Sequence, residues 1–195
     1  MTSILLSVRP EYALNILNGN KTLELRKTIP HGFVGWVYVY VTKSGKQLYD
    51  FGKTINKGTI WQAQVVKKEL LNGTIPMRFW FDEYKYLNWL DFILGYMPTQ
   101  CTLQKLCLTE AELDAYGNHK DLYAWHIKKL EIFDKPMELK DFTTIHIPDD
   151  AIIEREENGE EYFYRKGMQL WHNYFSRLTR APQSWQYVEV KGETK

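Results

Sequence analysis

The sequence predicts an α+β fold in which several short strands, flanked by a few helices, form a barrel. Three observations lead there. Gly35-Trp36-Val37-Tyr38-Val39-Tyr40-Val41 alternates cleanly, with Trp36, Tyr38 and Tyr40 on one face and the valines on the other, the pattern of a strand. Ser3 to Arg9 is a second strand-like run. It passes through Pro10, suited to a first helical position, into Ala13, Ile16 and Leu17 at helical spacing. Thr109-x-x-Glu112 is a capping box, which predicts a helix starting at Glu110 and stopping at Gly117.

The remaining elements follow in order. Gly19 stands where the first helix needs a positive φ to stop, and a short strand-like stretch follows it. Ile29 to Gly32 is a turn, and Thr42 to Gly45 ends the alternating strand. Gln47 to Lys57 reads as a loop or hairpin, and Gly58 to Val66 as a strand. From Asn72 to Thr99 the chain is mixed and aromatic. Leu87, Leu90 and Leu94 predict a helix ending near Gly95 and Pro98, so residues around 72–117 read as a helical, aromatic-rich insertion. Tyr123 to Phe133 is a strand closed by Asp134-Lys135-Pro136, and Ile145 to Ile153 holds short extended pieces. Glu154 to Glu161 is a charged hairpin tip. Met168, Trp171, Phe175 and Leu178 predict an amphipathic helix. Ser184 to Val190 is a last strand before a frayed tail. With no repeat or linker, residues 1–195 are expected to form a single domain.

Composition narrows the function. A chain of 195 residues can bury one good core. Its formal net charge of +1 argues against a broad, non-specific nucleic-acid binder, which needs a strong basic excess. Seven Trp and thirteen Tyr exceed ordinary packing needs, and such rings either fill a core or stack on bases. Cys101 and Cys107 are the only cysteines and form no metal-ligating pattern, so reduced, structural thiols and no metal or cofactor are expected. The absence of a signal peptide, long apolar run or lipidation signal leads to the expectation of a cytoplasmic protein that does not enter membranes.

The sharpest feature is Gly19-Asn20-Lys21-Thr22-Leu23-Glu24-Leu25-Arg26, which reads G-x-K-x-x-E-x-R. In a strand Thr22, Glu24 and Arg26 share one face and Leu23 and Leu25 the other. Lys21 belongs to the turn leaving the helix, close to a helix C-terminus where a cation is favoured. By residue type alone the set is either an ordinary Glu24–Arg26 surface pair with a solvated lysine or a polar site. Arg26 suits a phosphate or carboxylate through its forked donors. Glu24 can accept from a base amino group or serve as a general base, and Lys21 as base or nucleophile. Tyr40 and Trp125 can stack on a base or fill the core. Lys43 can sit beside the cleft or in an exposed loop, and His126 can shuttle protons or line the barrel wall. Trp185 carries the same two readings as Tyr40 and Trp125. His31, His119, His146 and His172 share no spacing.

The opening LLSVRPEYALNILNGNKTLELRK resembles the ASCH domain of the PUA-like superfamily, whose signature is the same G-x-K-x-x-E-x-R. VYVYVTKSG (Val37 to Gly45), YAWHIKKLEIFDKPMEL (Tyr123 to Leu139) and RAPQSWQYVEV (Arg180 to Val190) resemble members from bacteria and their phages. The resemblance implies a PUA-like β-barrel with the motif lining a cleft between barrel and helices. It also implies a partner that is RNA or a nucleotide-like small molecule. The expected ligand-binding set is Lys21, Glu24, Arg26, Tyr40, Lys43, Trp125 and His126. An alternative follows from ASCH proteins that are small amidohydrolases acting on 4-acetylcytidine, and others have been linked to RNA cleavage. Lys21 would then be catalytic, together with Glu24. Glu24, however, stands where those enzymes carry a threonine. A third reading makes the aromatic segment 72–99 a contact surface for a protein partner.

Overall fold

The computed structural model describes residues 2–43, 72–94, 96, 98–145, 152–155, 161–165, 168–169 and 175–191. Thr2–Val8 forms strand β1, Pro10–Leu17 helix α1, Leu23–Arg26 β2, Gly35–Val41 β3, Ile75–Phe81 β4 and Tyr84–Leu87 β5. Three helices follow: Trp89–Ile93 (α2), Gln100–Leu106 (α3) and Glu110–Gly117 (α4). Leu122–His126 is β6, Lys128–Met137 β7 and Phe142–Ile145 β8. Ile152–Arg155 is β9, Glu161–Arg165 β10, Met168–Gln169 β11, Phe175–Arg177 β12 and Trp185–Val190 β13.

A seven-stranded sheet runs β12-β8-β13-β1-β3-β4-β7. At its centre β1 lies parallel to β3 and antiparallel to β13, and all seven β1 residues are buried. Both faces of the strand are covered, which suits the consecutive apolar residues Ile4, Leu5 and Leu6. The smaller sheet β2-β6-β5 stacks against the large one. The packing is layered. Ile4, Leu6 and Val8 face inward with Val37, Val39, Phe79, Ala13 and Trp125. Leu5, Tyr38, Tyr40 and Phe142 pack on the outer face of the large sheet. The far face of the small sheet, with Leu23, Leu25 and Ala124, packs under Leu103, Leu106 and Leu113 of α3 and α4.

The expected mixed α+β class is observed. The large sheet is open among the described residues, since β12 and β7 lie at its two ends, whereas the sequence reading expects a barrel. Alternation and turn signals report strands; whether the outer strands meet depends on shear and tilt, which they do not encode.

Other differences have local causes. The strand expected over Tyr123–Phe133 is two strands in different sheets. The chain breaks at Ile127, whose amide donates to Thr22 O, and Lys129 takes φ 44°. Asp134-Lys135-Pro136 does not close β7, which continues to Met137 along the sheet edge, where a proline is tolerated. A helix does end near Gly95 as expected, but α2 is only five residues long: Leu87 ends a strand before it, and Leu90 and Leu94 are exposed rather than core-facing. Residues 72–117 supply the interior strand β4 as well as helices. Met168 and Phe175, expected on a helix, lie in short strands. The Gln47–Lys57 loop, the Gly58–Val66 strand, His146 and His172 lie outside the described residues. So does the tip expected between β9 and β10, which pair as a hairpin would. No helix among the described residues is long and apolar enough to cross a membrane.

The capping box is present. The Glu112 amide donates to Thr109 Oγ1 at 3.2 Å and the Thr109 amide to Glu112 Oε2 at 2.9 Å. Thr109→Ala should cost about 1 kcal/mol in denaturant melts. The Thr109 backbone N–H, then its hydroxyl, hold the Glu112 carboxyl below its usual 4.5. A depressed carboxyl stabilises above its unfolded value and loses that effect as pH falls through its folded value. Glu112→Gln should therefore be less stable at pH 7, with the difference shrinking on going below about pH 4. A difference independent of pH would refute the assignment.

Candidate nucleotide site

α1 and its stop set the geometry. Helix α1 ends at Leu17, Asn18 caps it, and Gly19 takes φ +72°, a conformation costly for any residue with a Cβ. The chain then turns so that the Lys21 amide donates to Asn15 O, and β2 begins at Leu23. β2 pairs antiparallel with β6: Leu23 opposite His126, Glu24 opposite Trp125, Leu25 opposite Ala124, Arg26 opposite Tyr123. Directly opposed residues share a face. Glu24, Arg26, Trp125 and Tyr123 thus face the large sheet, while Leu23 and Leu25 face the helices.

The motif is therefore interior, not the solvated surface pair that is one of its two readings by residue type. Lys21, Glu24 and Arg26 are 3%, 5% and 7% exposed. Arg26 Nη2 donates to Glu24 Oε1 at 2.8 Å and to Ser7 O at 2.7 Å, and Nη1 reaches Ser184 Oγ at 3.4 Å. Lys21 Nζ donates to Leu106 O at 2.6 Å and lies 3.5 Å from Glu24 Oε2. The lysine does sit at a helix C-terminus, but that of α3 rather than α1. Its ammonium also lies 5.2 Å from the centre of the Tyr12 ring, within cation–π range. The network ties together β1, β2, α3 and the segment before β13. Three buried polar atoms on this face make no hydrogen bond: Glu24 Oε2, Arg26 Nε and Trp125 Nε1.

Around the network stand residues that sequence reasoning did not select. Tyr12 is half-buried on α1; burial, then Glu112, pushes its hydroxyl up from 10. Tyr116 on α4 is exposed, with the Lys27 ammonium 5.2 Å from its ring centre. Burial raises its hydroxyl as well, opposed by Arg26 and Arg9 and reinforced by Glu24 and Tyr12. Ser7 and Ser184 carried no signal of their own, because a serine in an extended run looks like any polar filler.

Of the other expected residues, Trp125 shares the motif face and the rest lie elsewhere. Trp125 is fully buried against Phe81, ring centres 4.8 Å apart. Trp185 is half-buried, and its indole donates to Thr28 Oγ1 at 3.0 Å. Tyr40 lies on the outer face of the large sheet, packed with Leu5, Tyr38 and Phe142. His126 faces away from Trp125, its Nδ1 4.0 Å from Glu83. Lys43 is exposed just past β3. Among the described residues no group of three or more His, Cys, Asp or Glu is placed to hold a metal ion.

The chain is similar to solved ASCH structures. One is the crystal structure of ASCH from Zymomonas mobilis, with TM-score 0.45 and 14% identity over 70% of this chain and 73% of that one. Two single-substitution mutants of that protein match with the same score and identity, covering 70% of this chain and 76% and 74% of theirs. No protein-family model matches the chain, and no curated protein does.

Proposed function

We propose that the chain is a single ASCH-type, PUA-like domain that binds RNA or a nucleotide-like ligand at Lys21, Glu24 and Arg26. The observation that carries this reading is a pair of buried donors without a hydrogen bond on the motif face, Arg26 Nε and Trp125 Nε1, beside Glu24 Oε2, whose contact is the 3.5 Å ion pair with Lys21. A buried polar atom without a partner costs free energy and calls for an explanation. Here one acceptor and two donors occupy the same face of one sheet, with Glu24 directly opposite Trp125. A base edge with an amino group beside a carbonyl or ring nitrogen supplies the complementary pattern. Two cations share one carboxylate, so the cluster also favours an electron-rich ligand group. Access requires the side chains covering these atoms to move.

The amidohydrolase alternative draws on the buried Lys21–Glu24 ion pair, at 3.5 Å. Against it, the Lys21 ammonium is committed to Leu106 O, Glu24 and the Tyr12 ring, which opposes a nucleophilic role. For a protein partner, Tyr84, Tyr86, Leu90 and Tyr96 offer the exposed part of the 72–99 segment.

One experiment addresses the first two readings. Wild type is titrated calorimetrically with short single-stranded RNA and with nucleosides including 4-acetylcytidine, and the mixtures are then analysed by mass spectrometry. Binding weakened about 10- to 100-fold by Glu24→Gln, the loss of a charge-assisted hydrogen bond, supports the binding site. Deacetylation abolished by Lys21→Ala would favour the enzyme. Neither binding nor turnover would refute both.

A further inference from the structure

Given a ligand site at Lys21, Glu24 and Arg26, as proposed above, we propose that residues 179–185 form a strap that covers the motif face and swings off to admit the ligand. With the strap down, Arg26 and Trp125 are sealed from solvent. With it off, Arg26 Nε and Trp125 Nε1 are free to meet the incoming group.

The strap is held as a removable part is held. Leu178 before it and Val188 after it are core residues, 5% and 0% exposed. Between them no residue is fully buried, and residues 178–184 form no helix or strand. Trp185 opens β13, and a strand end is where a ladder frays at least cost. What ties the segment down is polar. The Ser7 amide donates to Ser184 O at 2.8 Å and Ser7 Oγ to Pro182 O at 2.6 Å. Trp185 Nε1 donates to Thr28 Oγ1 at 3.0 Å, and Arg26 Nη1 to Ser184 Oγ at 3.4 Å. Each such bond is exchanged for water at small net cost, so the strap lifts far more readily than the sheet beneath it unfolds.

The strap also touches the two side chains that matter. Ser184 meets Arg26, and the Trp185 ring lies 6.0 Å from that of Trp125. Yet it satisfies neither Arg26 Nε nor Trp125 Nε1, both of them buried. A segment that only completed the fold would leave these two donors at their full desolvation cost. A cover that gives way to a ligand has no need to match them. The Ser184 contact is the longest of the four and offers the guanidinium a neutral hydroxyl. A phosphate oxygen at the same nitrogen makes a charge-assisted bond about twice as strong. The phosphate of a nucleotide thus displaces Ser184 and holds the strap open.

Labelling with phenylglyoxal, which attacks accessible guanidinium groups, reads the strap without any ligand. Peptide mass spectrometry follows Arg26, with the exposed Arg9 as internal reference. In wild type Arg26 should react about 10-fold or more slowly than Arg9. Thr28→Val and Ser7→Ala each remove one tie and leave the motif side chains in place. Each should speed Arg26 labelling about 2- to 10-fold and leave Arg9 unchanged, while Thr28→Ser matches wild type. Unchanged hydrogen exchange across β3 separates this local opening from general loosening. Both variants should also bind a single-stranded RNA heptamer more tightly by the same factor, because the open fraction limits affinity. Arg26 labelling as fast as that of Arg9 in wild type, or no faster in the variants, would overturn the strap. So would unchanged or weaker heptamer binding by variants that label faster. A wild type that binds no heptamer, with labelling still controlled by Thr28 and Ser7, would overturn the RNA reading of the motif and leave the opening cover standing.

Discussion

Arg26→Met is expected to destabilise the protein by about 3–5 kcal/mol, among the largest effects of any single substitution. The guanidinium is the hub of the buried network: it donates to the Glu24 carboxylate, to the carbonyl of Ser7 at the end of β1 and to Ser184. Methionine fills much the same volume, so the loss measures unpaired charge more than a cavity. With Arg26 gone, Glu24 keeps only Lys21 at 3.5 Å, and the Ser7 carbonyl loses this partner. A buried ion pair need not stabilise relative to apolar packing, whereas half of one is costly. The combined variant Lys21→Met, Glu24→Leu, Arg26→Met should therefore recover much of the loss, because no charge is then stranded. Denaturant melts of the single and triple variants decide this. A cost below about 1 kcal/mol for Arg26→Met would mean that the network is hydrated and contributes like a surface pair. A stable triple variant that no longer binds RNA would separate the network's role in binding from its role in folding.

Trp125→Ala is expected to cost a comparable amount, about 3–5 kcal/mol, for a different reason. The indole is fully buried between the two sheets, 4.8 Å from the Phe81 ring and 6.0 Å from that of Trp185. Its removal leaves a void where the sheets meet. Trp125→Phe is the informative companion. It keeps an aromatic ring against Phe81 and removes the Nε1–H that finds no acceptor. Relief of an unpaired donor offsets part of the lost packing, so the Phe variant should lose less than about 1.5 kcal/mol. If that donor serves a ligand, Trp125→Phe should weaken RNA binding while leaving the melting curve nearly unchanged. A Phe variant as unstable as the Ala variant would mean that indole shape, rather than the donor, is what the site requires.

Much of the local structure is legible in the sequence because short-range rules govern it. The alternation of Gly35 to Val41 separates the valines from Tyr38 and Tyr40, and these residues do occupy opposite faces of the large sheet. Gly19 and Thr109 mark helix ends through backbone strain and side-chain capping, and both act as expected. The phase of Leu23-Glu24-Leu25-Arg26 assigns the two carbon-rich side chains to one face and the two charged ones to the other. Where spacing served two structures equally well, it misled. Leu87, Leu90 and Leu94 have helical spacing, yet only Leu87 is buried, at the end of a strand. Tyr123 to Phe133 reads as one extended run because a strand that leaves one sheet and joins another at Ile127 keeps its β-propensity throughout.

The sequence by itself determined that Glu24 and Arg26 would share one strand face, because the side-chain period of a strand is two; it left the side taken by Lys21, in the turn, open. Only the tertiary structure decided that they would be buried and with whom. The small sheet closes its charged face against β1 and its apolar face against α3 and α4. Ser7, Ser184 and Leu106 thereby become partners from 19, 158 and 85 residues away. The same packing sends Tyr40 and His126 elsewhere. Such contacts depend on how two sheets stack, a free-energy balance over the whole core, and no local pattern in the chain records it.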